Sequence, residues 1–142
     1  MGIVRHRGAA NLPPMTQAIA KIGRGAPYAT DIDFGSHALV ADEPASRGGG
    51  DTGPAPYELL LGSLGACTAI TLRMYAERKG WAVDDIQVGL FLHGQGETLN
   101  IERVLTITGT DAEQNARLAE IAEKTPVTLT LKRGVPIATR LG

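Results

Sequence analysis

The chain has 142 residues, a formal net charge of −1 and one cysteine, Cys67. That length suits a single domain with its own core. The balanced charge, with no basic stripe interleaved with aromatics, points away from nucleic acid. One cysteine excludes an internal disulfide framework, and a reducing cytoplasm is the expected location.

Residues 1–16 read as an irregular N-terminal segment. Pro13 and Pro14 disfavour helix, and the opening MGIVRHRGAANLPPM lacks the apolar centre of a signal peptide. Residues 17–142 are expected to form the domain. QAIAKIG, PYATDIDFG and HALVADEP predict three short strands, punctuated at Gly23 to Gly25 and at Gly35 to His37. Ala18, Ala20 and Ile22 share one strand face, Ile32 and Phe34 another. The stretch from Pro44 to Pro56 is rich in glycine and proline. Its triplet Gly48 to Gly50 raises phosphate binding, but neither GK[ST] nor GxGxxG opens the next helix, so a mobile connector is expected.

The stretch from Pro54 to Gly80 organises the rest. It is uncharged from Leu59 to Leu72 and then turns charged. Pro56 suits a first helical position, Gly80 the position past the end, and Arg78 and Lys79 the negative end of the dipole. One long helix is predicted, buried along its first two-thirds. Leu60, Leu64, Cys67, Thr71 and Met74 form one row, and Leu59, Ser63, Ala66 and Ile70 a neighbouring one. The small residues Gly62, Ser63, Gly65, Ala66 and Ala69 predict close approach by another backbone. The apolar run falls short of the roughly 18–20 residues of a membrane span, so no membrane partner is expected.

Beyond the helix, IQVGLFLH alternates, with Ile86, Val88, Leu90 and Leu92 on one face. GQGE turns the chain and NIERVLTITG returns it. Thr110 and Glu113 fit a capping box for a helix that puts Leu118, Ile121 and Ala122 on one side. TPVTLTLKRG has the composition of a strand, yet Thr125 and Pro126 also fit the cap and first residue of a short helix. VPIATRL predicts a final strand. Strands in blocks argue for an α+β fold with antiparallel sheets around a long central helix.

Among chemistry-bearing residues there is no CxxC and no HExxH, and His6, His37 and His93 are scattered. Neither a metal nor a cofactor is expected. Cys67 lies about three turns into its helix, beyond the reach of that helix's own dipole. A reactive thiolate there requires a positive charge brought from elsewhere. An inert core cysteine is the plain alternative.

The segment DTGPAPYELLLGSLGACTAITLRMYAERKGW resembles the OsmC/Ohr family of osmotically inducible and organic hydroperoxide resistance proteins. The carriers are ADEP at Ala41 to Pro44, Gly48, Gly49, Asp51, Gly53 to Leu61, LGACT at Leu64 to Thr68, Thr71 to Ala76 and Arg78 to Trp81. The resemblance spans about Gln17 to Leu141. It implies an intertwined OsmC-like homodimer, with two long helices at its centre, and a short helix over TPVTLTL. It also implies a reaction. A cysteine at the Cys67 position attacks the O–O bond of an organic hydroperoxide and becomes a sulfenic acid. An arginine holds the thiolate, and a glutamate just before the long helix orients that arginine.

The chain departs from that scheme in three places. The resolving cysteine belongs in a Cys-Pro-Val motif, and here Thr125-Pro126-Val127 stands instead. A cysteine-bearing insert is replaced by the short GQGE turn. The glutamate position falls at Tyr57, with Glu58 one residue later, about 100° around a helix; Glu58 equally fits a favourable first-turn acid. Arg47, in the glycine loop, is the leading candidate for the arginine, and Arg24, in the first hairpin turn, is the other. Arg73 pairs along the helix with Glu77. The reading is thiol-dependent reduction of apolar organic hydroperoxides, with Cys67 peroxidatic, Glu58 and Arg47 assisting, and an external thiol as reductant. The alternative is a non-catalytic dimer that binds a small apolar ligand at its interface.

Overall fold

A computed structural model describes residues 16–142. The irregular segment expected over 1–16 lies outside them, apart from Thr16. The chain divides into two compact units, one ending at Pro56 and one running from Tyr57 to Gly142.

In the first unit, β1 (Ile19–Ile22), β2 (Thr30–Asp33) and β3 (Ala38–Ala41) form an antiparallel meander in sequence order. Ile32 sits opposite Ala20 on one side and Leu39 on the other. The glycine loop that follows is not the mobile connector expected from its composition. The buried Asp42 carboxylate accepts the Glu43 N–H at 2.7 Å, the Thr52 N–H at 3.1 Å and the Thr52 hydroxyl at 2.6 Å. Those bonds, the Thr52 hydroxyl foremost, hold its carboxyl below the usual carboxylate range. The backbone is tied as well: Gly49 N–H donates to Pro44 O, Asp51 N–H to Glu43 O, and Asp42 N–H to Pro54 O. A Cβ on Gly49 would stand 2.0 Å from Glu43 O, and one on Gly53 1.8 Å from Val40 O. These glycines permit close backbone contact where composition alone suggests slack.

The long helix α1 spans Pro56–Lys79, as its punctuation predicts, and all but its first residue belongs to the second unit. Gly80 adopts φ 70°, Trp81 N–H donates to Ala76 O and Gly80 N–H to Glu77 O, the paired bonds of a Schellman cap. The fully buried row is Leu64, Thr68, Leu72 and Ala76, one residue per turn. This differs from the two rows expected from sequence, which share only Leu64 with it, and burial is not confined to the first two-thirds of the helix; Met74, in the first expected row, is 55 % exposed. A helix apolar nearly all round offers no polar stripe by which periodicity selects a face.

β4 (Asp85–His93) and β5 (Asn100–Thr108) form an antiparallel hairpin in register from Asp85↔Thr108 to His93↔Asn100. The GQGE turn includes one 3-10 turn, Gly96–Thr98. The more buried rows are Ile86, Val88, Leu90 and Leu92 on β4, and Ile101, Arg103, Leu105 and Ile107 on β5. α2 (Ala112–Ala122) is capped by Asp111 and not by Thr110: the Asp111 carboxylate accepts Gln114 N–H, and the Gln114 side chain accepts Asp111 N–H. The acid is the stronger acceptor, and the Thr110 hydroxyl is taken up by the Asn115 side chain. The core joins Leu72, Leu118 and Ala122, flanked by Tyr75, Trp81, Ile86, Leu105, Ile107 and Ile121.

TPVTLTL is helical, as the family resemblance implied and against its strand-like composition. α3 spans Pro126–Arg133, with Thr125 extended at its N-cap and proline at its first position. The last segment is a second correction: residues 134–142 form no strand, and Ile137 and Leu141 are 89 % and 98 % exposed. An alternating sequence becomes a strand only where an open sheet edge completes its hydrogen bonds, and within the unit nothing pairs with it.

Candidate active site around Cys67

Cys67 lies half-buried on α1, immediately before the buried Thr68. Its Sγ accepts the backbone N–H of Val127 at 3.5 Å. Val127 is the second residue of α3. Its N–H is therefore one of the first-turn donors that have no partner within their own helix, at the positive end of the α3 dipole. The charge that α1 cannot supply from three turns away is thus offered by the start of a different helix. The local sequence explains this: Thr125 and Pro126 stop the α2 segment and restart the chain as α3 with its N–H groups turned towards α1.

Thr125, where the resemblance implies a resolving cysteine, is 1 % exposed. Its hydroxyl lies 2.6 Å from that of Thr128. Behind this pair stands Arg103 of β5, whose side chain is 12 % exposed. Its Nη1 donates to Thr68 Oγ1 at 3.1 Å and to Thr128 Oγ1 at 2.8 Å, and its Nη2 to Ala122 O at 2.9 Å. Glu123 Oε1 follows at 3.7 Å. Such bonds from a charged donor contribute on the order of 1.5–3 kcal/mol each, against the cost of withdrawing the guanidinium from water. The Glu123 carboxyl is held low chiefly by its hydrogen bond from Lys132, with burial opposing and Arg103 assisting.

A cavity of about 470 Å³ adjoins this cluster. Leu60, Leu64, Leu92, Leu99, Ile101 and Leu131 make its apolar wall, and Arg103, Glu123, Thr128, Lys132 and Asn100 its polar side.

The other expected site residues are placed as follows. Glu58 is exposed in the first turn of α1. Nine residues separate it from Cys67, about 13 Å along the axis and half a turn around it, so the helix itself does not bring the two together. Arg47 ends the 3-10 turn Ala45–Arg47 and Arg24 lies in the bend between β1 and β2. Both are exposed and belong to the first unit, not to the unit that holds Cys67. Arg73 reaches the Val83 carbonyl at 3.5 Å. Arg103 is the residue that sequence reading passed over. Its signal was present: a charge in the inward row Ile101, Arg103, Leu105, Ile107 is out of pattern and calls for buried partners.

A family profile described as OsmC-like protein matches residues 48–140. The chain belongs to the OsmC-like protein family. Solved proteins share the fold of this OsmC-like chain, among them three that are each under 25 % identical to it. One is the organic hydroperoxide resistance protein OsmC from Legionella pneumophila, 22 % identical over 83 % of this chain and 89 % of that one, TM-score 0.63. Another is the OsmC-like protein from Mycoplasma pneumoniae, 14 % identical over 83 % and 87 %, TM-score 0.66. A third is the organic hydroperoxide resistance protein OhrB of Bacillus subtilis, 22 % identical over 82 % and 90 %, TM-score 0.59. Among curated proteins, none matches the OsmC-like chain in sequence.

Proposed function

We propose that this OsmC-like chain reduces organic hydroperoxides in the cytoplasm, with Cys67 as its peroxidatic residue. The observation that carries the reading is the Val127 N–H donated to Cys67 Sγ from the first turn of α3. The thiolate is the nucleophile, and a donor at a helix N-terminus favours negative charge on its acceptor. The thiolate attacks one peroxide oxygen, the O–O bond breaks, and the leaving alkoxide takes a proton to become an alcohol, leaving a cysteine sulfenic acid. With Thr125 in place of a second cysteine, an external thiol attacks that sulfenic acid and releases water. A second equivalent of the thiol then frees Cys67 as a thiol and leaves as the disulfide.

Two features support the rest of the reading. The apolar cavity wall suits an apolar hydroperoxide. The uncovered face of α1, with Ile70 at 59 % and Met74 at 55 % exposure beside Gly62, Ser63 and Ala66, suits a second copy of the chain. Contrary to the short run expected from sequence, α1 is by length and composition apolar enough to cross a membrane, and 22 % of that stretch is buried within the chain; a partner helix is the cover this reading assigns to it. In that homodimer residues 17–142 act as one OsmC-like domain, and Glu58 and Arg47, or Arg24, complete the site around Cys67.

The test is hydroperoxide consumption with cumene hydroperoxide and dithiothreitol. Wild-type protein turns over, and Cys67→Ser does not; equal rates would sink the assignment. The second reading, a non-catalytic binder of small apolar ligands, is favoured by Thr125, whose hydroxyl occupies a buried polar network where a resolving thiol would act. It predicts extractable apolar ligand and no turnover in either protein.

A further inference from the structure

We propose that Arg103 is a positioning residue for Cys67: a buried guanidinium that holds the sulfur and the Val127 N–H in register. The inference rests on Cys67 being the reactive group. Arg103 bonds to the residue after each member of the Cys67–Val127 pair, Thr68 on α1 and Thr128 on α3. One nitrogen, Nη1, makes both bonds, so the two hydroxyls are held to a common point. The third bond, from Nη2 to Ala122 O, fixes the end of α2 just before the turn that restarts the chain as α3. Arg103 therefore connects the three helices whose mutual placement sets the sulfur-to-nitrogen separation.

The hydroxyls leave little freedom. Thr68 Oγ1 gives its proton to Leu64 O at 2.7 Å and so turns a lone pair to Arg103. Thr128 Oγ1 lies 3.2 Å from Ala122 O and 2.6 Å from Thr125 Oγ1. When Thr128 donates to Ala122 O, Thr125 is the donor to Thr128, and each oxygen in the chain is satisfied. The four residues Thr68, Ala122, Thr125 and Thr128 are each at most 5 % exposed, so the network is buried and losing a member leaves buried polar partners unpaired. Lysine in place of Arg103 keeps the charge but loses the planar fork that reaches separate acceptors.

Position matters at a reacting group: a misplacement of about 1 Å costs on the order of 100-fold in rate. The experiment compares Arg103→Met with Arg103→Lys, and Thr128→Val with Thr128→Ser. It measures the rate constant for Cys67 alkylation by iodoacetamide, and kcat and KM for cumene hydroperoxide with dithiothreitol. Arg103→Met and Thr128→Val are expected to slow alkylation about ten-fold and to lower kcat more than KM, with near-UV circular dichroism retained. Thr128→Ser restores the rate to within about three-fold and Arg103→Lys only in part. Alkylation of Thr128→Val at the wild-type rate, or equal to that of Thr128→Ser, overturns the proposal. Should Arg103→Met fail to fold, the Thr128 pair decides. Alkylation needs no peroxide: wild-type protein that consumes none defeats the peroxidase reading, while the Thr128 comparison still upholds or overturns the role of Arg103.

Discussion

The Val127 N–H donates to the Cys67 sulfur at 3.5 Å, across sixty residues of chain. The contact brings the start of α3 to Cys67, with the buried Thr125 at the cap of that helix. On the proposed peroxidase reading, Thr125→Cys is expected to supply a resolving thiol. One equivalent of hydroperoxide then closes a disulfide between residues 67 and 125, read as loss of both titratable thiols and by peptide mass. The substitution forfeits the hydroxyl bond to Thr128, at a cost of about 1 kcal/mol in stability.

The uncovered face of α1 predicts assembly. The wild-type chain is expected to sediment as a dimer. Burying an isoleucine contributes roughly 1.5–3 kcal/mol, and a two-fold interface loses it twice. Ile70→Glu, at a position 59 % exposed in the single chain, is therefore expected to weaken the dimer by about 100-fold or more, measured by sedimentation at several concentrations.

Gly65 faces the sheet of its own unit, where a Cβ would stand 3.0 Å from the Leu90 Cδ1 methyl. Two effects oppose each other there. Alanine gains about 1 kcal/mol in helix propensity, and the flexible end of Leu90 yields by a few tenths of an ångström. Gly65→Ala is thus expected to leave the melting temperature nearly unchanged. Gly65→Val adds two methyl groups to a contact already closed and is expected to cost about 1–3 kcal/mol. Thermal unfolding of the pair checks both.

Asp42 sets an acid limit on the first unit. Its folded pKa lies below the ordinary value near 3.9, so its contribution is complete above that pH and fades as pH falls through the lower folded value. Asp42→Asn turns an amide N–H₂ towards donors and is expected to lower the melting temperature by several degrees near pH 7. The gap between variant and wild type narrows as the pH falls below the ordinary carboxylate value near 3.9. A gap that widens on acidification would show that another group carries the effect.

Much of this fold was legible in the sequence. Pro56 and Gly80 bracket α1 because each satisfies a backbone requirement that the sequence itself states. The alternation at Ile86, Val88, Leu90 and Leu92 survives because strand periodicity is local. What failed depended on partners. The buried row of α1 is Leu64, Thr68, Leu72 and Ala76 and neither expected row, because no stripe of polarity told one apolar face from another. The 135–141 segment has the pattern of a strand but no ladder within the unit. Of the site, Cys67 was plain, being unique and set in LGACT. The α3 N–H donor was not, since only the tertiary structure brings residue 127 to residue 67. Arg103 lay in between, visible as a broken pattern but empty of meaning until its three acceptors are in place.

The tied glycine loop also bears on proteolysis. Arg47 followed by three glycines is the bond trypsin would be expected to cut first in a slack connector. A protease needs a stretch of extended, released backbone, and here the N–H groups of residues 47, 48, 49 and 51 all donate to carbonyls of residues 43 to 45. Cleavage after Arg47 therefore reports the opening of the Asp42 network, slow at neutral pH and fast once that carboxylate is lost. The same restraint gives an exposed arginine a fixed station on the surface of its unit.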